Sequence, residues 1–254
     1  MNHVLRSSPA LSAVFAAVRA APVPVREGNP LEPSAPATFV TISREGGAGG
    51  RAIGQRLVER LNQLDPGENP WTLWDGALVE KVSGDHHIAA ELVESLGETH
   101  HGWMEEFLRS LSQVGDIDEA KIYRRVAVTI RALAHRGRAV IVGRGGIHIT
   151  RQMPGGVHVR LVATFENRVG FMMRQHGMAH EAAAEHVREL DQNRAAFYRR
   201  YWPKAMLDAD VFTITLNTGT VGENLGVECL LPLILPSQCC DGPEWRQHSV
   251  MAMT

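Results

Sequence analysis

A glycine-rich segment between a predicted strand and an amphipathic helix is the feature that most constrains how this chain can fold. Residues 43–54 read SREGGAGGRAIG. Residues 39–42 predict a short buried strand before it, and apolar residues recur at helical spacing after it, at positions 53, 57, 61 and 64. Glycines allow a sharp backbone turn, and the first amides of a helix carry partial positive charge. The pattern therefore predicts a phosphate-binding turn within residues 43–52.

Two ligand classes are compatible with this turn. Three residues fit the dinucleotide pattern G-x-G-x-x-[GA], namely Gly47, Gly49 and Ala52. Asp75, after the next predicted strand, lies at a plausible distance for a ribose contact. The phosphate-loop pattern G-x-x-x-x-G-K-[ST] is matched in part, with Arg44 at its first glycine, Gly50 at its lysine and Arg51 at its hydroxyl residue. Neither pattern decides which of the two ligand classes the turn binds. A tight turn that binds no ligand is the third interpretation.

Five predicted strands alternate with predicted helices along the chain. The strands are expected at residues 38–43, 71–74, 138–142, 157–163 and 211–216. Connections of this length imply right-handed crossovers and a mostly parallel sheet that helices cover on both faces. We therefore expect an α/β fold.

The expected domain covers residues 38–235. Within it, residues 76–136 are predicted to form a helical insertion that contributes the acceptor region, and residues 165–205 an arginine-rich, lid-like helical region. Residues 1–37 are expected to be a leader helix followed by a proline-rich linker. The five prolines between residues 22 and 36 exclude regular structure in the linker. Residues 236–254 are expected to be a flexible tail.

Composition narrows the classes of partner. Apolar residues make up 44% and charged residues 21% of the chain, as in soluble globular proteins. The net charge of −2 argues against binding nucleic acid polymers, so affinity for phosphate must come from locally placed arginines. No apolar run reaches the roughly 20 residues that cross a bilayer. The three cysteines lack metal-site spacing, and a cytoplasmic location is expected.

Several segments, in order from about residue 38 to 231, resemble the cytidylate kinase-like family. They are residues 41–45, 47–51, 74–79 and 142–146, and Asp191 with Arg194 and Tyr198. The resemblance implies the three-layer P-loop nucleoside monophosphate kinase fold, with a five-stranded sheet, helices on both faces and a helical lid. It also implies that the glycine-rich turn binds ATP.

The resemblance assigns the donor site to the loop. The ATP phosphates would be held by Gly47, Ala48, Gly49, Gly50, Arg51 and Ala52. Arg51 would also act in catalysis by replacing the missing lysine, because a guanidinium binds phosphate as a planar fork. Since the loop lacks the hydroxyl residue that usually assists Mg²⁺, the metal would rely on the nucleotide itself or on an acid such as Asp75. Its coordinating residues stay unknown.

The resemblance also assigns the acceptor site and the lid. Asp75 and Arg144 would bind the acceptor, and Arg168 and Arg194 would neutralise the charge of the transferred group. Asp75 has an alternative role as the cap of the following helix. Arg194 has an alternative role in an i, i+3 pair with Asp191 on a solvated helix face.

These assignments predict ATP-dependent phosphoryl transfer to a nucleoside monophosphate of the CMP or dCMP type. A nucleotide-binding regulatory module of the same fold, with little or no transfer, is the alternative that the altered loop suggests. A dinucleotide-dependent oxidoreductase is the third hypothesis. The nucleotide is the expected partner, with neither a nucleic acid polymer nor a membrane, and a homodimer is possible through residues 76–136.

Overall fold

One sheet of five parallel strands organises the described residues, which in this computed structural model are 38–84, 117–202 and 209–235. The strands are β1 (Phe39–Arg44), β2 (Thr72–Asp75), β3 (Ala139–Val142), β4 (Gly156–Val162) and β5 (Ile214–Asn217). They lie in the order β2-β3-β1-β4-β5, and all four pairings are parallel. The predicted parallel five-stranded sheet is thus confirmed.

Helices connect the strands. In the described residues they are α1 (Gly50–Leu64), α2 (Gly76–Gly84), α3 (Ile117–Arg136), α4 (Gly146–Thr150), α5 (Phe165–His176), α6 (His180–Tyr201) and α7 (Thr218–Ile234), with a 3-10 turn at Ala209–Val211. The predicted leader and linker (1–37), part of the insertion (85–116), the end of the lid-like region (203–205) with the three residues after it, and the predicted tail (236–254) lie outside the described residues.

Alternating side chains of the strands build a core on each face of the sheet. On β3, Ala139 and Ile141 pack towards α2, α3 and α4, whereas Val140 and Val142 pack towards α1 and α7. Successive strand residues point to opposite faces, so a fully apolar strand requires helices on both sides. The three-layer architecture follows from this pattern.

The last strand begins later than the sequence predicted. Residues 211–216 are rich in β-branched side chains, but Val211 ends the 3-10 turn and the pairing with β4 begins at Ile214. Thr213 already bonds to β4, because its amide donates to the carbonyl of His158 at 2.8 Å. Strand propensity alone therefore did not predict the residue at which β5 begins to pair with β4.

The lid-like region consists of α5 and α6, which pack against each other through a small core of their own. Its buried members are Val169, Met172, Ala183, Ala184 and Val187. The N-terminus of α5 is capped by Thr164, whose hydroxyl accepts the amide of Asn167. In the part of the chain that the structure describes, no helix combines the length and apolarity needed to span a membrane.

Buried His158 is expected to make stability depend on pH. Its Nδ1 lies 2.7 Å from the hydroxyl of Thr41, and burial lowers its pKa to about 4 from the usual 6.5. Between these values the unfolded chain binds a proton that the folded protein does not, so stability falls as pH drops from 6.5 to 4. His158→Gln should flatten this dependence by on the order of 1 kcal/mol per pH unit, measured by urea unfolding. Equal slopes in both proteins would contradict it.

Candidate functional site

The loops that follow β1, β2 and β3 meet at the carboxyl edge of the sheet and border a cavity of about 650 Å³. Ligands of open parallel sheets bind at this edge. Five arginines line the cavity: Arg44, Arg51, Arg144, Arg160 and Arg194. Three acids line it as well: Glu45, Asp75 and Asp191. This excess of cations suits an anionic ligand.

The glycine loop has the backbone geometry that an anion-binding turn requires. Gly47 and Gly49 have φ angles of 76° and 74°, in the left-handed region that favours glycine. Gly49 is the N-cap of α1 and provides no side-chain cap, and the first turn contains no acidic residue. Among the described residues, no side chain accepts a hydrogen bond from the amides of Gly50, Arg51 or Ala52. These amides stay available to an anion.

Arg168 joins the glycine loop to the lid-like helices. Its Nη1 donates to the carbonyl of Gly46 at 3.0 Å and to Asp191 Oδ2 at 2.5 Å, and its Nε donates to the carbonyl of Ala163 at 3.1 Å. Glu45 Oε2 lies 3.6 Å from Nε, and Asp191 Oδ1 accepts the amide of Gly46 at 2.7 Å. With its side chain only 11% exposed, Arg168 lies behind the loop and does not line the cavity.

Asp75 and Arg51 form an ion pair at the lining of the larger cavity. Asp75 Oδ1 accepts the amide of Leu78 at 3.0 Å, so the carboxylate does cap α2. Its Oδ2 lies 3.3 Å from Arg51 Nε, and the Arg51 side chain is 80% exposed. The cap and a ligand contact are compatible, because the cap uses only one of the two oxygens and Asp75 lines the cavity.

Arg144 lies in a loop of three consecutive residues with positive φ, between Gly143 (85°) and Gly145 (70°). Its own φ is 53°, a conformation that costs a non-glycine residue energy and persists where neighbours enforce it. Tyr123 provides that support by donating its hydroxyl to the Arg144 carbonyl at 3.1 Å. The guanidinium pairs with Glu80 at 2.7 Å. Arg144, which was predicted to bind the acceptor, thus lines the cavity and has Glu80 as an ion-pair partner.

Helix α6 forms the wall opposite these loops through Arg194 and Tyr198. Burial lowers the pKa of Arg194 and raises the pKa of Tyr198. Arg194 Nη1 is 3.9 Å from Asp191 Oδ1 and has no hydrogen-bond partner among the described residues. The predicted Asp191–Arg194 pair is therefore present but long, and Arg194 keeps donors for another group.

Arg44 is a site residue for which the sequence analysis predicted no role. It ends β1 beside the glycine loop and lines the cavity. Burial and, secondly, the charge of Arg194 lower its pKa to about 10. The available signal was its position, because it stands where the phosphate-loop pattern has its first glycine.

A second cavity of about 350 Å³ also borders the glycine loop. Its lining includes Gly47, Gly49, Asn167, Phe171, Arg174 and the start of α7 from Thr218 to Asn224. No local sequence pattern indicates this cavity, because its walls come from α5 and α7, which follow the loop in sequence by more than a hundred residues. The glycine loop therefore contributes residues to both cavities.

Clusters of metal-binding side chains are absent from the described residues. These residues contain no cluster of three or more acidic, histidine or cysteine side chains that could hold a metal. Glu45 and Asp191 contact Arg168, and Asp75 contacts Arg51 and caps α2. A metal at this site would have to depend mainly on ligand oxygens, as Mg²⁺ often does.

Comparison with known proteins identifies related sequences and folds. The model of the cytidylate kinase-like family matches residues 39–220. An uncharacterized protein from Eubacterium ventriosum has 19% identity over 79% of this chain and 99% of its own, with a TM-score of 0.61. This likeness concerns the fold. No curated protein matches the chain.

Two shikimate kinases match the chain at lower similarity. The Acinetobacter baumannii enzyme, solved with shikimate, has 16% identity over 79% of this chain and 94% of its own, with a TM-score of 0.43. The Bacteroides thetaiotaomicron enzyme has 12% identity over 79% of this chain and 96% of its own, with a TM-score of 0.41.

Proposed function

Since the chain belongs to the cytidylate kinase-like family, we propose that it transfers a phosphoryl group from ATP to a nucleoside monophosphate of the CMP or dCMP type. The observation that carries the proposal is the glycine loop with unoccupied first-turn amides, which borders two cavities. Phosphoryl transfer needs two ligands whose phosphates meet, and this arrangement provides a place for each.

The donor is assigned to the smaller cavity and the loop. The base of ATP would lie between α5 and the start of α7, near Phe171 and Gly219. Its phosphates would run over the amides of residues 47–52 towards the arginine-lined cavity. Magnesium would be carried by the triphosphate, because the described residues offer no metal cluster.

The acceptor is assigned to the larger cavity, with its phosphate near Arg144 and its nucleoside near Asp75. A phosphate oxygen of the acceptor would attack the terminal phosphorus of ATP. The bond from that phosphorus to the bridging oxygen would break, and its electron pair would leave with ADP. Arg194 would neutralise charge on the passing group, which is how proteins mainly accelerate this reaction. Arg168 would contribute by holding the loop, because its guanidinium donates to the carbonyl of Gly46.

A ligand panel tests the proposal. Thermal unfolding would be followed with ATP, CMP, dCMP, UMP and AMP, together with a coupled assay of ADP release. We expect ATP and one pyrimidine monophosphate to raise the melting temperature, since binding to the folded state at a hundredfold excess over Kd stabilises it by about 2.7 kcal/mol. We also expect turnover with that monophosphate. No stabilisation by any nucleotide would overturn the proposal.

A nucleotide-binding regulatory module is the second candidate. Gly50 and Arg51 stand where the phosphate-loop pattern has its lysine and its hydroxyl residue, and both groups normally assist transfer. This candidate predicts stabilisation by ATP with no turnover of any monophosphate. Robust turnover in the coupled assay would exclude it.

Arg51→Ala is expected to weaken ATP–Mg binding only about two- to fivefold, as for an exposed ion pair. Its side chain is 80% exposed and already faces Asp75 at 3.3 Å, so much of its charge is solvated. Isothermal titration would measure the effect. Arg60→Ala, on the same helix but paired with Glu228 outside both cavities, is the control. Unchanged affinity in Arg51→Ala would remove Arg51 from the donor site.

Location and assembly complete the proposal. We propose a cytoplasmic enzyme and a homodimer through the helical region 76–136. Residues 85–116 of that region lie outside the described residues.

A further inference from the structure

Arg44 fills the place where the phosphate-loop pattern requires a lysine side chain. Position 50 is the lysine position of that pattern, and here it is a glycine. A Cβ built on Gly50 would lie 2.9 Å from Arg44 Cγ, 3.1 Å from Cδ and 3.4 Å from Cβ. The stem of Arg44 therefore covers the first turn of α1 where a side chain of residue 50 would begin. A substituted side chain at position 50 would meet it at once.

The guanidinium of Arg44 lies between two of the loops that border the larger cavity, those after β1 and β3. A Cβ on Gly143 would overlap its Nη1, so the guanidinium reaches from the glycine loop to the backbone beside Arg144. Both residues line the cavity. A cation in this position would face a donor phosphate held by the loop and an acceptor phosphate held near Arg144.

The charge of Arg44 has no balancing partner among the described residues. No hydrogen bond or ion pair joins its guanidinium to any of them, although Asp75 and Tyr198 exert a favourable electrostatic influence. Arg194 and Arg144 exert an unfavourable one. Burial and these cations lower the pKa of Arg44 to about 10, so it is still charged at neutral pH. Buried charges in proteins are normally paired, and an anion in the cavity would supply the pairing.

We propose that Arg44 is the phosphate-binding cation of this loop and reaches from the first position of the pattern to the space that a lysine at position 50 would occupy. The inference rests on the proposed function, because it assigns the ligand as the phosphate tail of the donor nucleotide. It also explains why two positions depart from the pattern together. The long side chain at position 44 requires glycine at position 50, and it restores the charge that this glycine removes.

The first test compares phosphate-bearing and phosphate-free ligands. Isothermal titration would measure ATP, inorganic tripolyphosphate and adenosine binding to the wild type, Arg44→Ala and Arg44→Lys, with Arg60→Ala as the control. We expect Arg44→Ala to bind ATP and tripolyphosphate about ten- to a hundredfold more weakly and adenosine equally well, as for lost hydrogen bonds to a charged group. Arg44→Lys should lie between the two, because it keeps the charge but loses the planar fork.

The second test moves the cation to its usual position. Gly50→Lys alone should lose affinity, because its Cβ meets Arg44. Arg44→Gly should lose affinity because the cation is gone. The double variant Arg44→Gly/Gly50→Lys recreates G-x-x-x-x-G-K and should bind tripolyphosphate at least tenfold more tightly than Arg44→Gly. A purely structural role for Arg44 would not produce this recovery.

The outcomes separate this inference from the proposed function. A wild type that binds neither ATP nor tripolyphosphate would overturn the proposed function. A wild type that binds both, with Arg44→Ala unchanged, would overturn the role of Arg44 alone. If Arg44→Ala does not fold, as judged by circular dichroism, the folded Arg44→Lys and double variants decide the matter. A double variant no better than Arg44→Gly would then count against the inference.

Discussion

Replacing Arg168 with methionine is expected to destabilise the folded protein by about 2–4 kcal/mol, because the Arg168 side chain is only 11% exposed whereas its partners Glu45 and Asp191 are 31% and 37% exposed. Methionine keeps much of the volume and removes the charge. The change would leave the carboxylates of Asp191 and Glu45 without their common cation, and the carbonyls of Gly46 and Ala163 without a donor. Urea unfolding, with the free energy extrapolated to water, would measure the loss.

Arg188→Met is the matched control. Arg188 lies on α6, its side chain is 53% exposed, and it pairs with Glu185 at 3.2 Å. Exposed pairs of this kind contribute at most about 1 kcal/mol, so its loss should be small. The comparison also tests the predicted catalytic role of Arg168. If Arg168→Met kept full stability and lost only turnover, the argument that it positions the loop would be wrong.

The fold was predictable because its signals are local. Each strand is a short apolar run bounded by glycine, proline or polar residues, and α1 has a clear apolar stripe. The turn at Gly47 and Gly49 could be predicted from sequence, because only glycine adopts its left-handed conformation without cost. The prediction was less accurate at β5, because the first residue of this strand is determined by its pairing with β4.

The contacts within the site were less predictable because they join residues far apart in sequence. The bond from the Gly46 amide to Asp191 spans 145 positions, and no local pattern indicates it. The direction of the Arg44 side chain depends on the empty space over Gly50 and Gly143. Only the register of the loops on the folded sheet creates that space. No local pattern indicates this space, and the family resemblance assigned the missing charge to Arg51.

Asp75 shows why a choice between two roles could not be made from sequence alone. The predicted helix cap exists, since one oxygen accepts the Leu78 amide. The other oxygen faces Arg51 at the cavity. A carboxylate has about four lone-pair sites, so a capping role and a ligand contact are not exclusive. From the sequence, the helix cap and the ligand contact were two alternative roles for Asp75.

Gly47→Ala is expected to cost about 3 kcal/mol or more of stability, through backbone strain and a steric overlap together. Gly47 has a φ of 76°, and a Cβ there would lie 2.7 Å from the carbonyl oxygen of Arg168. That atom belongs to the backbone of α5 and cannot rotate away, so the loop or the helix must shift. Because the same loop is proposed to hold the ATP phosphates, stabilisation by ATP should also disappear.

Gly177→Ala isolates the contribution of the overlap. Gly177 has a φ of 65°, and nothing lies within 4 Å of a Cβ built on it, so alanine there adds strain without a clash. We expect it to cost about 1–2 kcal/mol and to leave stabilisation by ATP intact. Urea midpoints and thermal shifts with ATP would be measured for both variants. Equal losses of stability in the two variants would show that the loop moves freely to accept a side chain at position 47. Close contact with α5 would then not determine the shape of the loop. A phosphate would in that case find no preformed set of amides.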